Sequence, residues 1–131
     1  MGIKKKAIII TDGSKPVRMT ALFIKETLTD YKVKICSPKK FAGTDLLPVD
    51  AFFIGSKKQR VKNFAYLEEL LAHINLASRK CGIFGLNDKA IKYLKTLTND
   101  CEADIKDLLL NIEDSLSNAN KSAIKKWLSG F

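Results

Sequence analysis

Three short apolar runs, each closed by a turn and followed by residues at helical spacing, constrain this chain more than any other feature in it. Ala7 to Thr11 ends in Asp12-Gly13-Ser14, Ala51 to Ile54 ends in Gly55-Ser56, and Cys81 to Phe84 ends in Gly85. None of the runs alternates apolar with polar residues, which is the mark of strands covered on both faces. After each turn the period changes. Val17, Ala21, Ile24 and Leu28 share one helical face, as do Phe64, Leu67, Leu71 and Ile74, and then Ile91, Leu94 and Leu97. Pro16 falls in a first helical turn, where its missing N–H removes no hydrogen bond.

The intervening stretches follow the same rhythm. Lys32 to Ile35 reads as a short alternating strand stopped by Ser37-Pro38, and Phe41 to Leu47 as a helical turn or short helix before Pro48. Ala103 to Ile112, with Leu108-Leu109-Leu110, fits strand or helix by pattern alone. A fifth strand is expected there because a helix follows, with Ile124, Trp127, Leu128 and Phe131 on one face. Strands alternating with helices imply a parallel sheet with right-handed crossovers and helices on both faces. Ligands of such sheets bind at the carboxyl ends of the strands. At 131 residues, with no linker or repeat, the chain is expected to be a single domain over residues 1–131.

No apolar run approaches the roughly 20 residues that cross a bilayer, and Ala7 to Ile10 after Lys4-Lys5-Lys6 is too short for a signal-peptide core. A cytoplasmic location without membrane contact is the expectation. Cys36, Cys81 and Cys101 are odd in number and far apart, so they suggest buried thiols rather than a disulfide framework or zinc site. Cys36, near a strand end, is the candidate for a reactive thiol. His73 has no carboxylate or cysteine at ligand spacing, which argues against a metal role. Trp127 is assigned to the core with Ile124 and Leu128.

Several chemistries of doubly wound sheets fail on particular residues. A receiver domain needs an acidic pair after the first strand and an Asp ending the third, but Asp12 stands alone and the third run ends in Gly55-Ser56. No cysteine opens the first loop, as a cysteine phosphatase or phosphocarrier requires. Gly13 alone does not make a dinucleotide fingerprint, and no Gly-Lys-Ser/Thr is present.

The chain resembles the flavodoxin family, including its short protoporphyrinogen-oxidase-like branch. The resemblance rests on Ile8-Ile9-Ile10-Thr11-Asp12-Gly13-Ser14, on Asp50-Ala51-Phe52-Phe53-Ile54-Gly55-Ser56, on Lys80-Cys81-Gly82-Ile83-Phe84-Gly85 and on Lys125-Lys126-Trp127-Leu128. It implies a flavodoxin-like α/β sandwich with a five-stranded parallel sheet of order 2-1-3-4-5. It also implies flavin mononucleotide (FMN) as cofactor and an electron-transfer or other redox role. The residues expected at the cofactor are Thr11, Gly13, Ser14, Lys15, Arg18, Gly55, Ser56, Lys57, Gly85, Leu86 and Asn87, with Ser14, Lys15 and Arg18 at the phosphate and backbone groups around Gly55, Ser56 and Gly85 to Asn87 at the ring.

Two departures accompany the resemblance. The family's phosphate loop brings hydroxyls and backbone N–H groups together on a dianion at a helix N-terminus. Here Pro16 removes a donor and Val17 stands about where the family has glycine. The family also flanks the flavin with aromatic side chains, and neither Lys57-Lys58-Gln59-Arg60-Val61-Lys62 nor Leu86-Asn87-Asp88 contains one.

Charge supplies the remaining signal. The net charge is +9, and residues 1–40 hold ten Lys/Arg against three Asp/Glu. The expected carboxyl-end loops carry Lys15, Arg18, Lys39, Lys40, Lys57, Lys58, Arg60 and Lys62, with Asp12, Asp45 and Asp88 as the nearby acids. Such a rim suits an acidic redox-partner protein or a phosphorylated ligand. Nucleic acid is disfavoured, since the loops lack interleaved aromatics and no recognition-helix motif is present. Three functions follow: an FMN-dependent electron carrier, a flavin-free docking domain of the same fold, and an enzyme acting on a small phosphorylated substrate. The last has no identifiable nucleophile, Asp12 and Asp88 being lone acids.

Overall fold

The computed structural model of the protein describes residues 5–37, 45–58, 64–105, 110–112 and 117–129. Along the chain run β1 (Lys5–Thr11), α1 (Lys15–Thr27), β2 (Tyr31–Cys36), β3 (Ala51–Ser56), α2 (Ala65–His73), β4 (Lys80–Gly85) and α3 (Asp88–Leu97). A 3-10 turn (Asn99–Cys101), β5 (Asp104–Ile105), β6 (Leu110–Asn111) and α4 (Asn118–Leu128) complete it. All strand pairs are parallel, in the order β2-β1-β3-β4, with β5 and β6 both paired to β4.

The apolar runs are the central strands, and the reason is burial. Every residue of β3 is buried, as are the last five of β1 and of β4. Side chains alternate between two cores. Ile8, Ile10, Phe52, Ile54, Cys81 and Ile83 pack with Phe64, Leu67 and Leu71 near α2 and with Ile91 and Leu94 of α3. Ala7, Ile9, Ala51, Phe53 and Phe84 pack with Val17, Ala21 and Ile24 of α1 and with Ile124, Trp127 and Leu128 of α4. The period-two alternation of strands therefore feeds two helical layers, and neither face of the sheet meets water at its centre. Trp127 lies edge-on to Phe53 at 5.5 Å and to Phe84 at 6.2 Å between ring centroids, the arrangement that aromatic quadrupoles favour.

Among the described residues the sheet has six strands where five were expected, because β5 and β6 pair with successive parts of β4. Asp104 and Ile105 pair with Lys80 and Cys81, whereas Leu110 and Asn111 pair with Phe84 and Gly85. From Cys81 to Phe84 is three residue steps, but from Ile105 to Leu110 is five, a surplus of two over a continuous register. Two extra residues shift the ladder without swapping the faces of the sheet, since side chains repeat every second residue. Leu108 and Leu109 lie outside the described residues, as do Phe131 and most of the helical turn expected over Phe41 to Leu47. No described helix is long and apolar enough to cross a membrane.

Candidate functional site at the carboxyl edge

Parallel strands bring their carboxyl ends to one edge, and register decides which turns meet there. Thr11 stands opposite Gly55, and Ser56 opposite Gly85. The turns after β1, β3 and β4 are thus neighbours, and Leu86 N–H donates to the Ser56 carbonyl at 3.3 Å.

The β1–α1 turn is built around Asp12. Its Oδ1 accepts Ser14 N–H at 2.9 Å and Ser14 Oγ–H at 2.6 Å, while Oδ2 accepts Lys57 N–H at 2.8 Å. Gly13 N–H reaches Thr11 Oγ1 at 3.3 Å. A side chain that folds back on the backbone two residues ahead is the usual behaviour of Asp in a turn. It carries Gly13 to φ +85°, where a side chain would be strained although nothing stands within 4 Å of the place a Cβ would occupy. Helix α1 then begins at Lys15, with Ser14 as N-cap residue in an extended conformation and Pro16 in the first turn. Val17 is fully buried on the core side of the helix, so its side chain adds no donor to the loop.

On the next turn, Gly55 is glycine for a packing reason. A Cβ there would stand 2.2 Å from the ring of Phe84, its cross-strand neighbour, and that ring is itself held by Trp127. Ser56 is fully buried, and its hydroxyl donates to the Lys58 carbonyl at 3.0 Å, closing the turn. Gly85 lies beneath the start of α3, where a Cβ would stand 3.2 Å from that of Ala90. Asn87 is the N-cap of α3, its Oδ1 accepting Ala90 N–H at 2.9 Å.

The assigned cofactor residues therefore come together, but many are already engaged with the protein itself. Thr11, Gly13 and Ser14 form the Asp12 turn, Ser56 and Asn87 close their own turns, and Gly55 is covered by Phe84. Lys15, Lys57 and Lys58 are exposed at the rim, and Leu86 is half-buried beside them. Arg18 is exposed as well and lies over the flank of α1 toward β2, together with Leu22, Lys25 and Lys32. Lys39, Lys40, Arg60 and Lys62 lie outside the described residues. Asp12 is the residue that sequence reasoning left without a role. Asp-Gly-Ser after an apolar strand signals the local turn, but its bond to Lys57 spans 45 residues and had no sequence signature.

Part of the donor set at this edge is already taken. Ser14 N–H, Ser14 O–H and Lys57 N–H, the natural donors to an anion here, already serve a carboxylate of the chain. A phosphate about 4 Å from that carboxylate meets repulsion of roughly 4 kcal/mol per unit charge at the effective dielectric of a protein surface. Among the described residues after β3 and β4, Lys57, Lys58, Leu86 and Asn87, no aromatic ring is available to flank a flavin.

The cysteines behave as buried apolar groups. All three are buried and none is in a disulfide. Burial pushes the Cys36 thiol above its ordinary range, with Lys34 pulling it down and Asp45 pushing it further up. Burial also pushes Cys81 well up, with a further push from Cys101. The reactive thiol expected at Cys36 is thus not supported, because a strand end that faces the core desolvates the thiolate. His73 is exposed at the end of α2, and no group of metal-ligating side chains occurs among the described residues. Tyr93 is turned to its own packing face, with its hydroxyl donating to Glu68 Oε1 at 2.6 Å and its ring stacked on Phe64 at 6.4 Å. Tyr66 is 49% exposed.

No family model and no curated protein matches the sequence. Solved structures do match the fold. A short-chain flavodoxin associated with a bacterial microcompartment has a TM-score of 0.85 at 10% identity, covering 98% of this chain and 96% of that one. The flavodoxin of Streptococcus pneumonia TIGR4 has a TM-score of 0.81 at 14% identity, covering 95% and 94%. Oxidised Flavodoxin 2 from Bacillus cereus has a TM-score of 0.79 at 18% identity, covering 97% and 99%. Over nearly its whole length, the chain has a flavodoxin-like fold.

Proposed function

We propose that the chain is a docking domain built on the flavodoxin fold, whose carboxyl edge is closed by its own carboxylate and meets an acidic partner with Lys15, Lys57 and Lys58. The observation that carries this reading is the threefold engagement of Asp12, which serves as an internal anion where a flavin phosphate would otherwise be held. Exposed lysines outside that closed turn retain their charge for a partner. No ion pair of these three occurs among the described residues. Electrostatic complementarity of this kind sets partner choice and association rate more than affinity.

A second reading keeps FMN and a redox role. It is supported by the likeness to flavodoxins over both whole chains, and it requires Asp12 to leave Ser14 and Lys57 so that Lys15 can approach the phosphate. When bound, the flavin would supply the electron-transfer chemistry, while residues of the three turns would only hold and orient it. Titration of the purified protein with FMN, followed by flavin absorbance and fluorescence quenching, separates the two. The docking reading expects neither a retained chromophore after desalting nor a saturable change. A stoichiometric yellow complex would overturn it.

A further inference from the structure

A second basic surface runs down the flank of the molecule, away from the carboxyl-edge turns, and its lining is of one sign. Arg18, Leu22 and Lys25 project from α1 at helical spacing toward β2, where Lys32, Val33, Lys34 and Ile35 complete a groove of about 590 Å³. Its four ionisable side chains are all cationic and exposed, and none is in an ion pair among the described residues. Leu22 is 52% exposed there, one of three large apolar side chains so placed among the described residues. The hollow at the amino end of the sheet, by contrast, has Lys5 and Asp30 together.

The floor of the groove is an edge strand. β2 pairs with β1 and is the last strand on that side of the sheet among the described residues. In a parallel pair, alternate N–H and C=O groups of the outer strand point away from the ladder, ready for another strand. Lysines on such an edge repel a second copy of the same chain, so self-pairing is disfavoured. The same lysines of β2, on its face away from α1, attract a strand that carries carboxylates at period two, while Leu22, Ile35 and the stem of Lys25 on the α1 side suit the apolar side chains that alternate with them.

We infer that the groove between α1 and β2 binds an extended acidic segment of a partner protein, with acidic and apolar side chains alternating along it. The inference goes beyond the docking reading of the carboxyl edge, since it concerns a different surface and names the chemistry of its occupant, and it fails separately from that reading and from the flavin question. The probe is a fluorescein-labelled peptide of alternating glutamate and leucine, followed by anisotropy. Its controls replace leucine by serine, or glutamate by lysine. The wild-type chain is expected to bind the glutamate–leucine peptide about tenfold more tightly than the glutamate–serine one, and the lysine peptide not at all. The triple variant K25E/K32E/K34E, checked for native circular dichroism, is expected to lose at least about tenfold in affinity. K92E/K95E, on the exposed basic surface of α3, is expected to lose little. Equal binding to wild type and K25E/K32E/K34E would overturn the inference, as would equal binding of the leucine and serine peptides. A dimer by sedimentation that the triple variant abolishes would also overturn it, making the groove a contact between copies. FMN binding by the wild type would end the docking reading of the carboxyl edge and leave the peptide result to decide the groove alone.

Discussion

Asp12 Oδ2 accepts the backbone N–H of Lys57 at 2.8 Å, so one carboxylate joins the turn after β1 to the turn after β3. The same carboxylate holds both polar hydrogens of Ser14. Two loops 45 residues apart are thereby fastened by a group that carries the charge of the ligand the fold usually suggests.

Replacing Asp12 tests both halves of that relationship. Asp12→Ala leaves Ser14 and Lys57 donors facing water and is expected to cost about 1–2 kcal/mol in urea unfolding. Asp12→Ser removes the charge while keeping a hydroxyl, and is expected to gain measurable affinity for FMN by fluorescence quenching. If neither stability nor affinity moves, Asp12 is not what closes the edge.

Gly55 and Phe84 form a second pair with a readable consequence. A methyl group at Gly55 would overlap the Phe84 ring, which is fully buried against Trp127 and cannot swing clear. Gly55→Ala is expected to destabilise the fold by about 2 kcal/mol through overpacking. Adding Phe84→Leu should recover part of that loss, and a double-mutant cycle measures how much. Additive losses would show that the two positions do not conflict.

Asn87 separates a capping role from a ligand role. Its side chain accepts Ala90 N–H, so Asn87→Ala is expected to cost about 1 kcal/mol and Asn87→Ser to restore most of it. Thermal or urea unfolding checks this. No change in stability would reopen Asn87 as a residue kept for a ligand.

The buried thiols give stability a dependence on alkaline pH. Burial raises the folded-state pKa of Cys36 and Cys81, so the unfolded chain ionises first as pH passes the ordinary thiol value of about 8.5. Their contribution is intact below that value and is lost as pH rises through the folded-state range. The urea midpoint is expected to fall between neutral pH and the thiol range far less than above it, and the alkaline fall should be smaller in Cys81→Ala. Thiol reagents should label Cys81 only at the rate of unfolding. Rapid labelling of the native protein would contradict the burial.

The lesson about legibility lies in where each feature's cause is located. β1, β3 and β4 could be read because continuous apolar runs have no other stable home than a sheet covered on both faces. Helices α1 and α3 could be read because their buried residues repeat at helical spacing, and Trp127 because it shares a face with Ile124 and Leu128. The fifth strand was only half legible. Its paired stretches are two residues each, too short for a period, and their two-residue surplus against β4 exists only in the register.

What the sequence determined by itself was thus the order of elements and the two-sided core, since both follow from local periodicity and the cost of exposing apolar surface. Only the tertiary structure decided that Asp12 reaches Lys57, and that Arg18 stands over the flank with Lys32 and Lys34. It alone also decided that Gly55 is glycine because Phe84 covers it. Each of these is a contact between residues distant in the chain, set by strand register and helix packing, and no local pattern of residues encodes it.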